Sequence, residues 1–297
     1  MNYENRITAF IDILGFKDIL NKTVNKDETD NEVEIDKLVR AYNSIRSVWD
    51  LDSSNEISNL LTKTDKSRKK ITTFSDCVVV SFPVEKKSEI FYTLLEIKWM
   101  VLRLVSQNIL CRGAVSYGKL IHTDAMLFGP ALVEAYVLES KAANYPRIIL
   151  DRNIIELAGN APSDIHTPQD EMEYVESLLE KDLDGMYYID YFEKAQEELD
   201  DPQYDFPTYI DTLGKIIRKG MNASKHPSKA AIKVKYVWMK EKYNNMVRKS
   251  KNKDFLNALK EGEEFELYEY YKKLKQINPT ANTIYDAIAK SSRKGKR

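Results

Sequence analysis

The chain has 297 residues, 43% of them hydrophobic, and a formal net charge of −1. That length can bury a substantial core in one large domain or two small ones. Near-neutrality excludes a global electrostatic drive toward nucleic acid or an anionic membrane. Two cysteines make no disulfide framework, no signal pattern precedes Arg6, and no apolar run approaches the roughly 18 residues of a membrane span. The expectation is a soluble cytoplasmic protein with reduced thiols.

Residues 7–16 read as an apolar strand with Asp12 in its middle, and residues 71–82 as a second with Asp76 in its middle, ended by Pro83. An ionised carboxylate inside an apolar strand is costly unless something compensates it. If the two strands pair so that Asp12 and Asp76 converge, they form a hard oxygen site suited to Mg²⁺ or Mn²⁺. Gly15 stands where the first strand must turn, leaving backbone N–H groups free to approach a phosphate.

Between these strands the pattern is helical to Leu20, polar over 21–32, and helical over 33–49 with Leu38, Tyr42, Ile45 and Trp49 on one face. Residues 50–70 are polar and carry a basic cluster, as a loop or short helix. Residues 88–107 form a strongly apolar helix. Residues 110–121 form a strand entering a hairpin, with Arg112 inside it and Gly113 and Gly118 marking bends or close approach. Gly129-Pro130 opens a helix running to about Asn144, and strands follow at 146–150 and 186–192. The order predicts an α/β (α+β) sandwich: a mostly antiparallel sheet with helices on one face. Residues 193–297 read as a helical extension whose Tyr236, Trp238, Tyr243, Tyr268, Tyr270 and Tyr271 pack on the core or a partner subunit. Stacking on nucleic-acid bases is the minority reading, and the basic end, Lys290 to Arg297, reads as a solvated tail.

Arg112 has two readings: an ion pair with a core carboxylate such as Glu139, or a contact to a triphosphate through its planar fork. His122, His166 and His226 lack ligand spacing and read as surface residues. Cys77 follows Asp76 and, by strand alternation, is expected on the opposite face as an inert thiol. There is no Ser-His-Asp arrangement and no Walker-type loop.

Four segments in order resemble the class III nucleotidyl cyclases over roughly residues 6–192: Phe10-Ile11-Asp12-Ile13-Leu14-Gly15-Phe16, Thr73-Phe74-Ser75-Asp76-Cys77, Arg112-Gly113-Ala114-Val115-Ser116-Tyr117-Gly118, and Gly129-Pro130-Ala131-Leu132-Val133-Glu134-Ala135. The resemblance implies a catalytic domain over 1–192 with a ferredoxin-like central sheet. It implies two divalent cations, Mn²⁺ or Mg²⁺, at Asp12, Ile13 and Asp76, and triphosphate contacts from Arg112 and the Ile13, Leu14, Gly15 and Phe16 backbone. It also implies a homodimer with composite sites, in which Thr72, Met126 and Lys181 come from the second chain.

The purine cyclases select adenine or guanine with a Lys or Glu where this chain has Thr72, and with Asp or Cys where it has Met126. The family's helical Asn and Arg fall on Val133 and Val137. These departures, with Gly129-Pro130, Glu134-Ala135-Tyr136, Glu139 and Pro146-Arg147-Ile148, resemble the bacterial pyrimidine cyclases of the Pycsar antiphage system. That resemblance implies conversion of UTP to cyclic UMP, which activates a separate effector protein. Cytidylate cyclase is the first alternative, and a catalytically silent nucleotide-sensing dimer is the alternative of another class. Tyr136 and Arg147 are candidates to replace the missing Arg. A palm-type polymerase or diguanylate cyclase shares the topology, but the chain lacks the latter's Gly-Gly-Asp/Glu-Glu-Phe turn.

Overall fold

Apolar and polar side chains alternate from Arg6 to Ile13, and that period-two pattern builds the central strand. The computed structural model describes residues 2–48, 69–85 and 87–277. In β1 (Glu4–Ile13), Ile7, Ala9, Ile11 and Ile13 point to one face and are buried, while Arg6, Thr8, Phe10 and Asp12 share the other. Each buried isoleucine contributes about 1.5–3 kcal/mol by leaving water, so a one-residue slip in register would forfeit all three.

Helices α1 (Phe16–Thr23) and α2 (Glu32–Val48) follow β1. Trp49 and the polar segment 50–68 lie outside the described residues. The next segment corrects the sequence reading. Instead of one strand over 71–82, β2 (Lys70–Phe74) and β3 (Cys77–Pro83) form a hairpin that turns at Ser75 and Asp76. Ser75 takes a φ of 51°, the left-handed conformation that such tight turns use.

The apolar run after Pro83 is α3 (Glu89–Ser106), followed by β4 (Cys111–His122), β5 (Leu127–Phe128) and α4 (Pro130–Lys141). β6 (Ile148–Leu150) and β8 (Tyr187–Ile189) match the last two expected strands in place. Three elements between them were not anticipated: α5 (Arg152–Ala158), α6 (Pro168–Ser177) and the short edge strand β7 (Leu179–Lys181).

The sheet order is β2-β3-β1-β4-β6-β8-β7, with β5 paired to β4. All pairs are antiparallel except β4 with β6. Gly113 permits the tight β1–β4 contact, because a Cβ there would sit 2.6 Å from the Phe10 carbonyl oxygen. Helix α4 lies along β1 and β4, with Ser116 Oγ donating to the Ala131 carbonyl at 2.6 Å.

The chain divides into two compact units between Lys194 and Ala195. The described part of the second is helical: α7 (Asp205–Ala223), α8 (Ala230–Lys249), α9 (Lys253–Glu261) and α10 (Phe265–Lys273). Tyr236 packs over Gly220 and Tyr243 over Gly214, so these rings fill the α7–α8 interface. Phe255 meets Tyr271 edge-on at 5.1 Å between α9 and α10. These aromatics pack helix on helix inside their own unit, a use the sequence did not separate from packing on the core or a partner. No described helix is long and apolar enough to cross a membrane, and the basic tail lies outside the described residues.

Candidate active site

Cross-strand partners in an antiparallel sheet project to the same face. Asp12 is opposite Cys77 on β3 and opposite Arg112 on β4, so these three side chains emerge side by side. Asp76, at the hairpin turn, joins them. Ligand atoms of Asp12, Asp76 and Cys77 all lie within 4.8 Å of one another. The backbone pins this arrangement, with Ile13 N–H donating to the Asp76 carbonyl at 2.9 Å. On the far side of the turn, the Tyr42 hydroxyl of α2 donates to the Ser75 carbonyl.

Cys77 is therefore on the carboxylate side, contrary to expectation. Alternation fails because Asp76 belongs to the turn and Cys77 is the first residue of β3. Burial, then the charges of Asp12 and Asp76, push the Cys77 thiol up to about 12. It stays protonated and is a poor ligand for a hard cation. Burial also raises the Asp12 carboxyl above its ordinary range; Arg112 opposes that shift and Asp76 adds to it. A cation bound between the two carboxylates would relieve the pressure that Asp76 places on Asp12. The donor set fits an oxygen-preferring divalent ion held by Asp12 and Asp76. Ile13 has a buried apolar side chain, so only its main chain could take part.

Both readings of Arg112 meet at this point. Its Nε is 2.5 Å from Oε1 of Glu139, a buried residue of α4, and 3.4 Å from Oδ2 of Asp12. The ion pair weighed from sequence is present, and it holds the guanidinium at the edge of the carboxylate pair.

Of the four backbone donors expected to face a phosphate, Ile13, Leu14, Gly15 and Phe16, only the last two are open. The N–H groups of Ile13 and Leu14 are already used, by the carbonyls of Asp76 and Leu110 at 2.9 and 2.8 Å. Gly15, with φ of 74°, caps α1 instead. The N–H groups of Gly15 and Phe16 have no acceptor among the described residues. Those two donors, at a helix N-terminus, suit an anion.

The other end of the same sheet face holds a polar chain that sequence reading missed. Thr72 Oγ1 is 2.8 Å from His122 Nε2, and His122 Nδ1 is 2.8 Å from Ser81 Oγ. Arg6 donates to Ser81 through Nε to Oγ at 2.9 Å and through a terminal nitrogen to the carbonyl at 3.0 Å. His122 is thus buried rather than a surface residue. Met126 occupies the β4–β5 turn, 41% exposed, and that turn is tied to β2 by the Lys70–Asp124 ion pair at 2.9 Å. His166 bonds Glu171 within the first unit, and His226, in the second, caps Ser228.

The remaining candidates separate. Lys181 is exposed on β7, its Nζ 5.4 Å from the centre of the Tyr187 ring. Arg147 is excluded as the replacement arginine, because it is buried, ion-paired with Asp182 at 2.5 Å and with Asp184, and stacked near Tyr145. Tyr136 fits better: it is 54% exposed on α4 and meets Phe10 edge-on at 5.5 Å, two residues from Asp12 on the same face. Val133 and Val137 are also exposed on α4.

No protein-family model and no curated protein matches the chain. Among solved structures it is similar to a bacterial light-regulated adenylyl cyclase, at TM-score 0.37 and 15% identity over 67% of this chain and 100% of that one. It is similar also to the adenylyl cyclase CyaB from P. aeruginosa (TM-score 0.37, 14% identity, 63% and 94%). A third is the catalytic core of a rhodopsin-guanylyl cyclase with converted specificity (0.35, 16%, 64% and 96%). All three are nucleotidyl cyclases.

Proposed function

We propose that this protein is a pyrimidine nucleotide cyclase that converts UTP to 3′,5′-cyclic UMP and pyrophosphate, as the signal generator of a bacterial antiphage system. The observation that carries the reading is the meeting of Asp12 and Asp76 beside Arg112 on one sheet face, in the segments that resemble class III cyclases. In the reaction, the ribose 3′-oxygen bonds the α-phosphorus, the bond to the bridging oxygen breaks, pyrophosphate leaves, and the hydroxyl proton passes to water. Divalent cations at Asp12 and Asp76 would lower the hydroxyl pKa and neutralise phosphate charge. The protein's own part is positioning and preorganised charge. Gly15 and Phe16 N–H groups and Arg112 hold phosphate oxygens, and Tyr136 offers a hydroxyl donor in place of the family's arginine.

The base is read by Thr72 and Met126 of a second copy, with Lys181 reaching its phosphates. The exposed Met126, Val133, Tyr136 and Val137 give that second copy an apolar surface to cover. Thr72, a short side chain with one hydroxyl, stands where purine cyclases use a long charged one. Purified protein given each nucleoside triphosphate with Mn²⁺, and its products identified by mass, tests the reading. Cyclic UMP from the wild type and none from Asp76→Asn is the expected result. Cyclic AMP or cyclic GMP alone overturns it. The second reading, a silent nucleotide sensor, draws on the valines at 133 and 137 and predicts nucleotide binding without product under every metal.

A further inference from the structure

We infer that His122 is a positioning residue that fixes the Thr72 hydroxyl as a hydrogen-bond donor, and that this selects a carbonyl over an amino group at C4 of the pyrimidine, hence UTP over CTP. The inference rests on the cyclase reading above and deepens it to the choice of base.

Protons can be placed one by one along the four side chains Arg6, Ser81, His122 and Thr72. Arg6 Nε can only donate, so Ser81 Oγ must accept from it. Ser81 is fully buried, and among the described residues its hydroxyl has one other partner, His122 Nδ1. If Nδ1 carried the imidazole proton, the Ser81 hydrogen would have nowhere to go, and a buried donor without an acceptor is costly. Ser81 therefore donates to Nδ1, and the imidazole proton sits on Nε2. Nε2 then donates to Thr72 Oγ1 at 2.8 Å, so that oxygen is an acceptor within the chain. Its own hydrogen is left over, on a half-exposed residue at the open end of the relay.

The doubly protonated ring is disfavoured as well. Burial, then the charges of Arg6 and Lys70, lower the His122 pKa to about 4, against a small opposing effect from Asp124. Thr72 alone is ambivalent, since a free hydroxyl donates or accepts. Anchored to Arg6 through two intervening side chains, it has one lone pair taken by Nε2–H, and accepting a second bond would leave its hydrogen without an acceptor among the described residues, so outward donation is the favoured mode. Uracil presents an acceptor at O4 for that hydrogen, whereas cytosine presents the N4 amino donor, which can be met only by leaving the Thr72 hydrogen unpaired.

Two measurements test this. The chain has three histidines, so ¹⁵N-histidine spectra of the intact protein identify His122 by comparison with His122→Asn. The expected spectrum has a protonated Nε2 and a bare Nδ1 at neutral pH; a proton on Nδ1 overturns the inference whatever the activity. The second is the cyclic UMP to cyclic CMP ratio from an equimolar UTP and CTP mixture. Ser81→Ala breaks the anchor and leaves the imidazole free to flip, and is expected to lower the ratio about tenfold, the effect of one hydrogen bond. Thr72→Val, which removes the reading group, is expected to do the same. An unchanged ratio in both variants, or a wild type that prefers CTP, overturns the inference and leaves the cyclase reading standing. Purine products alone from the wild type overturn both.

Discussion

Ile13 donates its backbone N–H to the carbonyl of Asp76 at 2.9 Å, so the strand bearing one carboxylate directly holds the turn bearing the other. The geometry of the pair is thereby a property of the sheet and not of two flexible side chains. Preorganisation of this kind comes at the expense of placing two negative groups together.

The first prediction concerns that expense. A cation that binds the folded state stabilises it by about 2.7 kcal/mol at a hundredfold excess over its dissociation constant. Mn²⁺ should raise the unfolding temperature of the wild type and leave that of Asp76→Asn unmoved, as read by thermal melts with and without chelator. An equal shift in both would place the cation elsewhere.

Two groups on the site face drive stability in opposite directions with pH. Burial raises the Asp12 carboxyl in the folded state. Its contribution is present below the ordinary carboxylate pKa and is lost as pH rises through the raised value. His122 is held at about 4, below its ordinary 6.5, so its contribution is present above 6.5 and is lost as pH falls toward 4. Melts in chelator across pH 4–8 should show Asp12→Asn losing the decline on the alkaline side of that carboxyl's titration. His122→Asn should lose part of the acid-side decline.

Arg147 is a structural residue with its guanidinium neutralised by Asp182 and Asp184. Arg147→Ala leaves the buried Asp182 carboxylate without its cation, a loss of about 3–5 kcal/mol. The melting temperature should fall by several degrees while turnover per folded molecule is retained. Tyr136→Phe should do the reverse, keeping the melt and lowering kcat by about tenfold or more, the scale of one lost donor.

Gly113 tests the strand contact behind the site. A methyl there would meet the Phe10 carbonyl at 2.6 Å and the Ile11 Cα at 3.2 Å, both backbone atoms that cannot rotate away. Gly113→Ala should destabilise the protein by about 1–3 kcal/mol, measured by denaturant unfolding, and should widen the β1–β4 spacing that brings Arg112 to Asp12.

The strands carrying Asp12 and Arg112, the α3 run and the proline start of α4 were legible because each has a strong periodic or capping signal. The β2–β3 turn was legible only through the resemblance of Thr73-Phe74-Ser75-Asp76-Cys77 to a family hairpin and not from the strand pattern, since the segment lacks glycine and asparagine and Ser75 adopts its left-handed φ without them. That miss alone put Cys77 on the wrong face. The capping box of Thr167 and Asp170, which starts α6, was in the sequence and went unread. The chain Arg6–Ser81–His122–Thr72 joins residues from four strands, so no spacing along the chain announces it. Of the expected backbone donors Ile13, Leu14, Gly15 and Phe16, the first two are spent inside the fold on the carbonyls of Asp76 and Leu110, a use that depends on tertiary pairing.

The hydroxyl of Tyr42 reaches from the middle of α2 to the carbonyl of Ser75. A helix rotates about 100° with each residue, so a single-residue slide of α2 would swing that ring away and release the tip on which Asp76 rides. Helix and tip are in this way mechanically joined, so a displacement of α2 would be felt at the carboxylate pair.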